Sequence, residues 1–263
     1  PPPCACAPVG MLAALRAAGA AALALAGGGA VPPAGPWEPP EYNSTVAAAL
    51  RRAGCASGEC PQAGLGDPYA AGGLPAAPGE RVCGVAFLGA GCSDYRLETF
   101  DSAAAALANG HFVTHTTPCG TCSDLTSLAA YVEHMDMTTP VRRCAARAAM
   151  LGWGAGMRCL GALGFPKPCA ETWLYNARHT RRVCGIVCLK AWALRWPNNL
   201  PDGSLNPCLQ CDEERSGPVF KAAAGRTRRD SGLWSAIARP EDELAHVVHG
   251  YWQRCGPERP RGP

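Results

Sequence analysis

The chain is short of net charge, of lysine, of aromatic side chains and of long apolar runs. A formal charge of +3 over 263 residues is too small for the electrostatic footprint that holds nucleic acid. Of the 24 basic residues only Lys167, Lys190 and Lys221 are lysines, and with the abundance of Ala and Gly this reads as GC-rich coding rather than as function. Aromatics make up 7% of the chain. Trp153, Trp173, Trp192, Trp196, Trp234 and Trp252 are spread through helical patterns, which suits core packing better than a stacking platform. No segment beyond residue 30 is apolar over the roughly 20 residues that span a bilayer. There is no Gly-x-Ser-x-Gly elbow, no His-Glu-x-x-His and no P-loop, and Gly89-Ala90-Gly91 is an incomplete dinucleotide fingerprint. The sequence therefore offers no hydrolase, kinase or dehydrogenase signature, and no cofactor or resident metal is expected.

Cysteine is abundant instead, at 16 residues, beside 31 Gly and 25 Pro. Reduced cytosolic proteins seldom carry so many thiols without metal. From Met11 the sequence runs MLAALRAAGAAALALAGGGAVPP: one Arg, a short Ala/Leu run, then small residues. That is the layout of a secretory signal. Residues 1–30 are read as a signal region with the natural start at Met11, which puts Cys4 and Cys6 outside the mature chain. The other fourteen cysteines, Cys55 to Cys255, suit up to seven bridges in an oxidising compartment. Asn43-Ser44-Thr45 is an N-glycosylation sequon.

Residues 31–80, rich in Pro, Gly and Ala, read as a linker with one short helix near 47–54. The folded part is expected over 81–256, followed by a disordered tail at 257–263. Within it, 94–100 and 111–116 read as strands and the Ala-rich segment between them as a helix, capped by Ser102 and closed by Gly110. Leu125, Leu128, Ala129 and Val132 form one apolar stripe of a further helix over 119–134. Helices follow from Thr139-Pro140, around 156–164 and across 168–192. A turn-rich loop occupies 197–207, then come a helix broken near Gly217-Pro218 and a final helix over 240–255. The fold class is α-rich α+β: a disulfide-stapled helical domain with a small β-α-β element near its N-terminus.

Cys119-Gly120-Thr121-Cys122 follows the strand and precedes the helix. At a helix start, free amides and the macrodipole stabilise a thiolate. Cys119 would then be the nucleophile and Cys122 the resolver, with His115 stabilising the thiolate or shuttling protons. Locally this resembles the strand–CxxC–helix of thioredoxin-like proteins, a resemblance that implies a cis-proline opposite the pair, for which Pro166 is placed. The same spacing also fits two structural disulfides, or half of a zinc site completed by Cys208 and Cys211; His246 and His249 form a second possible ligand pair. The pairs at 119/122 and 208/211 bracket the helical block, with 184/188 between, which resembles the way saposin-like domains clamp helices with cysteine pairs near both ends and implies that paired cysteines tie one helix to two neighbours.

Two arginine clusters complete the candidates. Arg226, Arg228 and Arg229 beside Ser231 form an anion site or else a solvated helix end. Residues 177–182 repeat the pattern, and the acidic residues at 212–214 can pair with either cluster. The expectation is a secreted or lumenal binding or structural protein, its partner unknown beyond an anionic ligand or surface, without nucleic acid and without an integral membrane span. The alternative is a thiol–disulfide oxidoreductase of the secretory pathway.

Overall fold

The computed structural model describes residues 40–70, 80–89 and 92–251. The signal region, Met11, Cys255, Trp252 and the 257–263 tail lie outside the described residues.

The fold begins earlier than the composition suggests. Asn43 accepts hydrogen bonds from the Thr45 and Val46 amides and so starts helix α1 (Ser44–Leu50). Val46, Ala47 and Leu50 are buried against helix α3 (Leu125–Glu133). Strand β1 (Gly54–Gly58) follows and pairs with β3 (Asp94–Phe100). Residues 44–58 are thus part of the folded unit, where the sequence reading had a linker. Gly54-Cys55-Ala56-Ser57-Gly58 has almost no β-formers; the Cys55–Cys60 disulfide closes the strand end instead.

The sheet runs β1-β3-β2-β4, with β2 (Val82–Leu88) antiparallel to both β3 and β4 (Phe112–His115). Helix α2 (Ala103–Ala108), capped by Ser102, connects β3 to β4. The expected β-α-β element is present, but its two strands flank β2 instead of pairing with each other. β2 escapes a periodicity search because it is central. Val82, Cys83, Gly84 and Val85 are all buried, so they read as a continuous apolar run with no alternation.

Five helices follow: α4 (Thr138–Leu151), α5 (Trp153–Ala162), α6 (Lys167–Ala193), α7 (Pro207–Arg215) and α8 (Gly217–Ala224). Helix α4 starts one residue before the expected Thr139 cap. Asp136 supports that start, its side chain accepting from the Thr138 and Thr139 amides. The break at Ser216, between α7 and α8, matches the expected interruption. The final helix does not form over its described residues, 240–251. Pro240 precedes a single 3-10 turn at Glu241–Glu243, and Leu244 is already extended, with φ −98° and ψ 125°. No helix among the described residues is long and apolar enough to cross a membrane.

Among the described residues six disulfides staple this arrangement: Cys55–Cys60, Cys83–Cys119, Cys122–Cys169, Cys144–Cys159, Cys184–Cys211 and Cys188–Cys208. Cys92 is disulfide-bonded as well. Helix α6 is the shared member. Cys169 near its start reaches the segment before α3, while Cys184 and Cys188 lock its other half onto α7. Cys184 and Cys188 thus both bind one neighbour, α7, while Cys119 and Cys122 part to β2 and α6, so no cysteine pair ties one helix to two neighbouring helices; the chain is helix-rich, mixed and disulfide-stapled.

Candidate functional site

The Cys-Gly-Thr-Cys segment is a packed crossroads. Cys119 is bonded to Cys83 of β2 and Cys122 to Cys169 of α6, so the two sulfurs lie in different bonds and Cys122 is fully buried. Nor do the amides of this stretch stay free to hold a thiolate. Helix α3 starts only after Asp124, and the Thr121 and Cys122 amides donate to the Ala223 and Ala224 carbonyls at 3.0 and 2.8 Å. A Cβ on Gly120 would lie 2.6 Å from the Gly225 amide nitrogen, so glycine is needed here for backbone-to-backbone contact. His115 is buried between Thr117 and Ser123, at 2.8 Å from each hydroxyl. Pro166 has a trans bond and serves as the N-cap residue of α6. Cys208 and Cys211 are bonded to α6, so the four zinc-candidate cysteines do not converge.

Arg226 belongs to the same crossroads. It is fully buried, and its guanidinium donates to the carbonyls of Thr114, Cys122 and Ser123 and to the hydroxyls of Thr114 and Ser231, at 2.6–3.0 Å. All five donors are used, joining β4, the segment before α3 and the turn at Arg229–Ser231. His249 packs beside it, its ring nitrogens at 2.9 Å from the Tyr251 hydroxyl and 2.7 Å from the Ser231 carbonyl. Burial and the Arg226 charge drive the His249 pKa down to about 3 and push that of His115 well below its ordinary value. Arg228 donates to the Tyr131, His134 and Trp234 carbonyls. Arg229 pairs with Glu213 at 3.0 Å and with Glu243 at 2.6 Å. The three arginines read from sequence as one anion site are therefore engaged separately by the protein itself, and none is a solvated helix end.

A different surface is open. Between α4 and the second half of α6, bordered by α7, α8 and the segment 227–239, lies a groove of about 1580 Å³. This is larger than a typical small-molecule pocket of about 300–1,000 Å³. Its arginines contrast with the buried ones. Arg142, Arg143, Arg181 and Arg182 are exposed and, among the described residues, make no side-chain hydrogen bond or ion pair. The charges of Asp136 and Asp212 reach Arg142. Asp212 sits in the groove wall, where burial raises its pKa against the hydrogen bond from Thr180. Behind it, the Tyr69 hydroxyl donates to Asn176 at 2.6 Å, and the Tyr69 ring stacks on His179 at 4.3 Å.

Apolar side chains share the groove with this charge: Met150, Ile186, Leu189 and Trp192 are 74, 91, 64 and 71% exposed. Trp192 and Trp234 are thus outside the core to which the sequence reading assigned them, whereas Trp173 packs at its edge. The 177–182 cluster carried the useful signal, since Arg181 and Arg182 lie in it. Sequence reasoning missed Arg142 and Arg143 because nothing in the chain marks them as facing the same groove.

Residues 154–247 match a family of unknown function (DUF8771). That stretch holds α6, α7 and α8 and the segment after them, but not the α4 wall. No curated protein and no solved structure matches the chain.

Proposed function

We propose that this chain is a binding protein of an oxidising compartment, secreted or lumenal, and that its groove takes an acidic polypeptide of a partner protein. The observation that carries the reading is the juxtaposition in one concave face of exposed, unpaired arginines and exposed Ile186, Leu189 and Trp192. Arg and Trp are the residue types that dominate interface energetics, and soluble proteins rarely leave apolar patches bare without a partner. The staples support the same reading: bridges from Cys184 and Cys188 to α7 hold the α6 wall rigid, which lowers the entropic cost of binding. They also favour a compartment where disulfides persist. A glycan on Asn43 belongs to this setting. The residue is exposed, and its cap uses only Oδ1, leaving the amide nitrogen out of the cap.

The test is fluorescence anisotropy of the full chain with a labelled Leu/Glu peptide and with its Leu/Lys counterpart at physiological salt. The Glu peptide binds and the Lys peptide does not. Equal binding of the two, or binding of neither, overturns the reading. The oxidoreductase alternative lacks its redox couple, since Cys119 and Cys122 are bonded to other residues.

A further inference from the structure

Helix α6 arranges its exposed face in two zones. Arg178, itself paired with Asp67, comes first with the unpaired Arg181 and Arg182, then Ile186, Leu189 and Trp192, at the three- and four-residue spacing that keeps side chains on one face. From Arg178 to Trp192 this face is about 21 Å long at 1.5 Å per residue, or about four helical turns. The α4 wall carries Arg142 and Arg143 and then Ala145, Ala146 and Ala149. Short side chains there let another helix axis approach to the usual 8–10 Å or so.

We propose that the groove's occupant is an amphipathic α-helix of about 15 residues, bearing carboxylates on one part of its surface and an aliphatic stripe on another. This rests on the reading that the groove takes an acidic polypeptide and specifies its conformation. An extended peptide would need backbone partners. The two long walls, α4 and α6, are helices whose amides and carbonyls are already paired within themselves, so strand addition along them has nothing to pair with. A helix brings its own backbone satisfied and offers side chains at the matching spacing. A second copy of this chain would set arginine against arginine. A bilayer, being flat, would not reach the alanines of the α4 wall.

Three labelled peptides of equal length and composition class test this against the full-length protein: a Leu/Glu amphipathic helix, the same peptide with two central prolines, and the Leu/Lys version. The helical acidic peptide binds at least tenfold more tightly than the proline-interrupted one. Ile186→Asp with Leu189→Asp, and separately Arg181→Glu with Arg182→Glu, each weaken it at least tenfold with circular dichroism unchanged. Equal affinity for the helical and interrupted peptides overturns the helix proposal and leaves the acidic-polypeptide reading standing; failure of both acidic peptides overturns both. Failure of all three peptides together with capture of phosphatidylserine vesicles, lost in Ile186→Asp, replaces the helix by a membrane. Concentration-dependent dimerisation abolished by Ile186→Asp replaces it by a second copy.

Discussion

Arg226 and Arg181 are the same residue type in chemically opposite situations. Arg226 spends every donor on buried carbonyls and hydroxyls. Arg181, with Arg182, Arg142 and Arg143, is held on a rigid wall and spends none on the described residues. The sheet-side crossroads is closed and the helical side is open. A cluster of arginines in sequence therefore reports composition, while availability for a ligand depends on what surrounds each guanidinium.

The largest effect is expected from attacking the closed side. Arg226→Met strands the Thr114, Cys122 and Ser123 carbonyls in a buried site and should cost more than about 4 kcal/mol. Denaturant unfolding measures it, and a loss below about 1 kcal/mol would erase the contrast with Arg181. Next come the staples. Replacing Cys122 and Cys169 by Ala frees a sequence separation of 47 residues, worth about 4 kcal/mol by chain entropy. The 5-residue separation of Cys55–Cys60 is worth about half as much. If both double variants shift the unfolding midpoint equally, loop closure is not what these bridges supply.

A third test uses pH. His115 and His249 have folded-state pKa values depressed by burial, so the unfolded chain binds more protons below its histidine pKa of about 6.5. Their contribution is fully present above that value and is lost as pH falls toward about 3, the folded value of His249. The slope is at most about 1.4 kcal/mol per pH unit for each histidine. The buried carboxyls Asp124 and Asp212, raised by burial, act with the opposite sign. The difference between wild type and His249→Gln therefore isolates the histidine, and parallel stability–pH curves would remove His249 from the account. The smallest effect belongs to the open side: Ile186→Asp should alter stability by no more than about 0.5 kcal/mol, as thermal unfolding will show, while weakening binding of the acidic peptide.

Much of the helical half was legible. Apolar spacing and Gly/Pro punctuation located α4 to α8, and Leu125, Leu128 and Ala129 were recognisable as a buried stripe because helical periodicity is local information. β2 was not, because a central strand buried on both faces loses its alternation. Nor was β1, whose strand is imposed by pairing with β3 and not by its own residues. The final helix was expected from charge placement, yet Val247, His249 and Tyr251 are drawn into the crossroads as buried chain outside any α-helix. The Cys-Gly-Thr-Cys motif misled for a related reason. Its cysteines are adjacent in sequence, but their partners lie 36 and 47 residues away. The groove's arginines come from two helices whose meeting no local pattern announces.

Hydrogen–deuterium exchange of the full-length protein, with and without the acidic amphipathic peptide, tests the open-side claim most directly. New protection should centre on α4 and on α6 from Arg178 to Trp192, with residues 112–123 of the crossroads unchanged. Protection centred on 112–123, or absent from both α4 and α6, would contradict it.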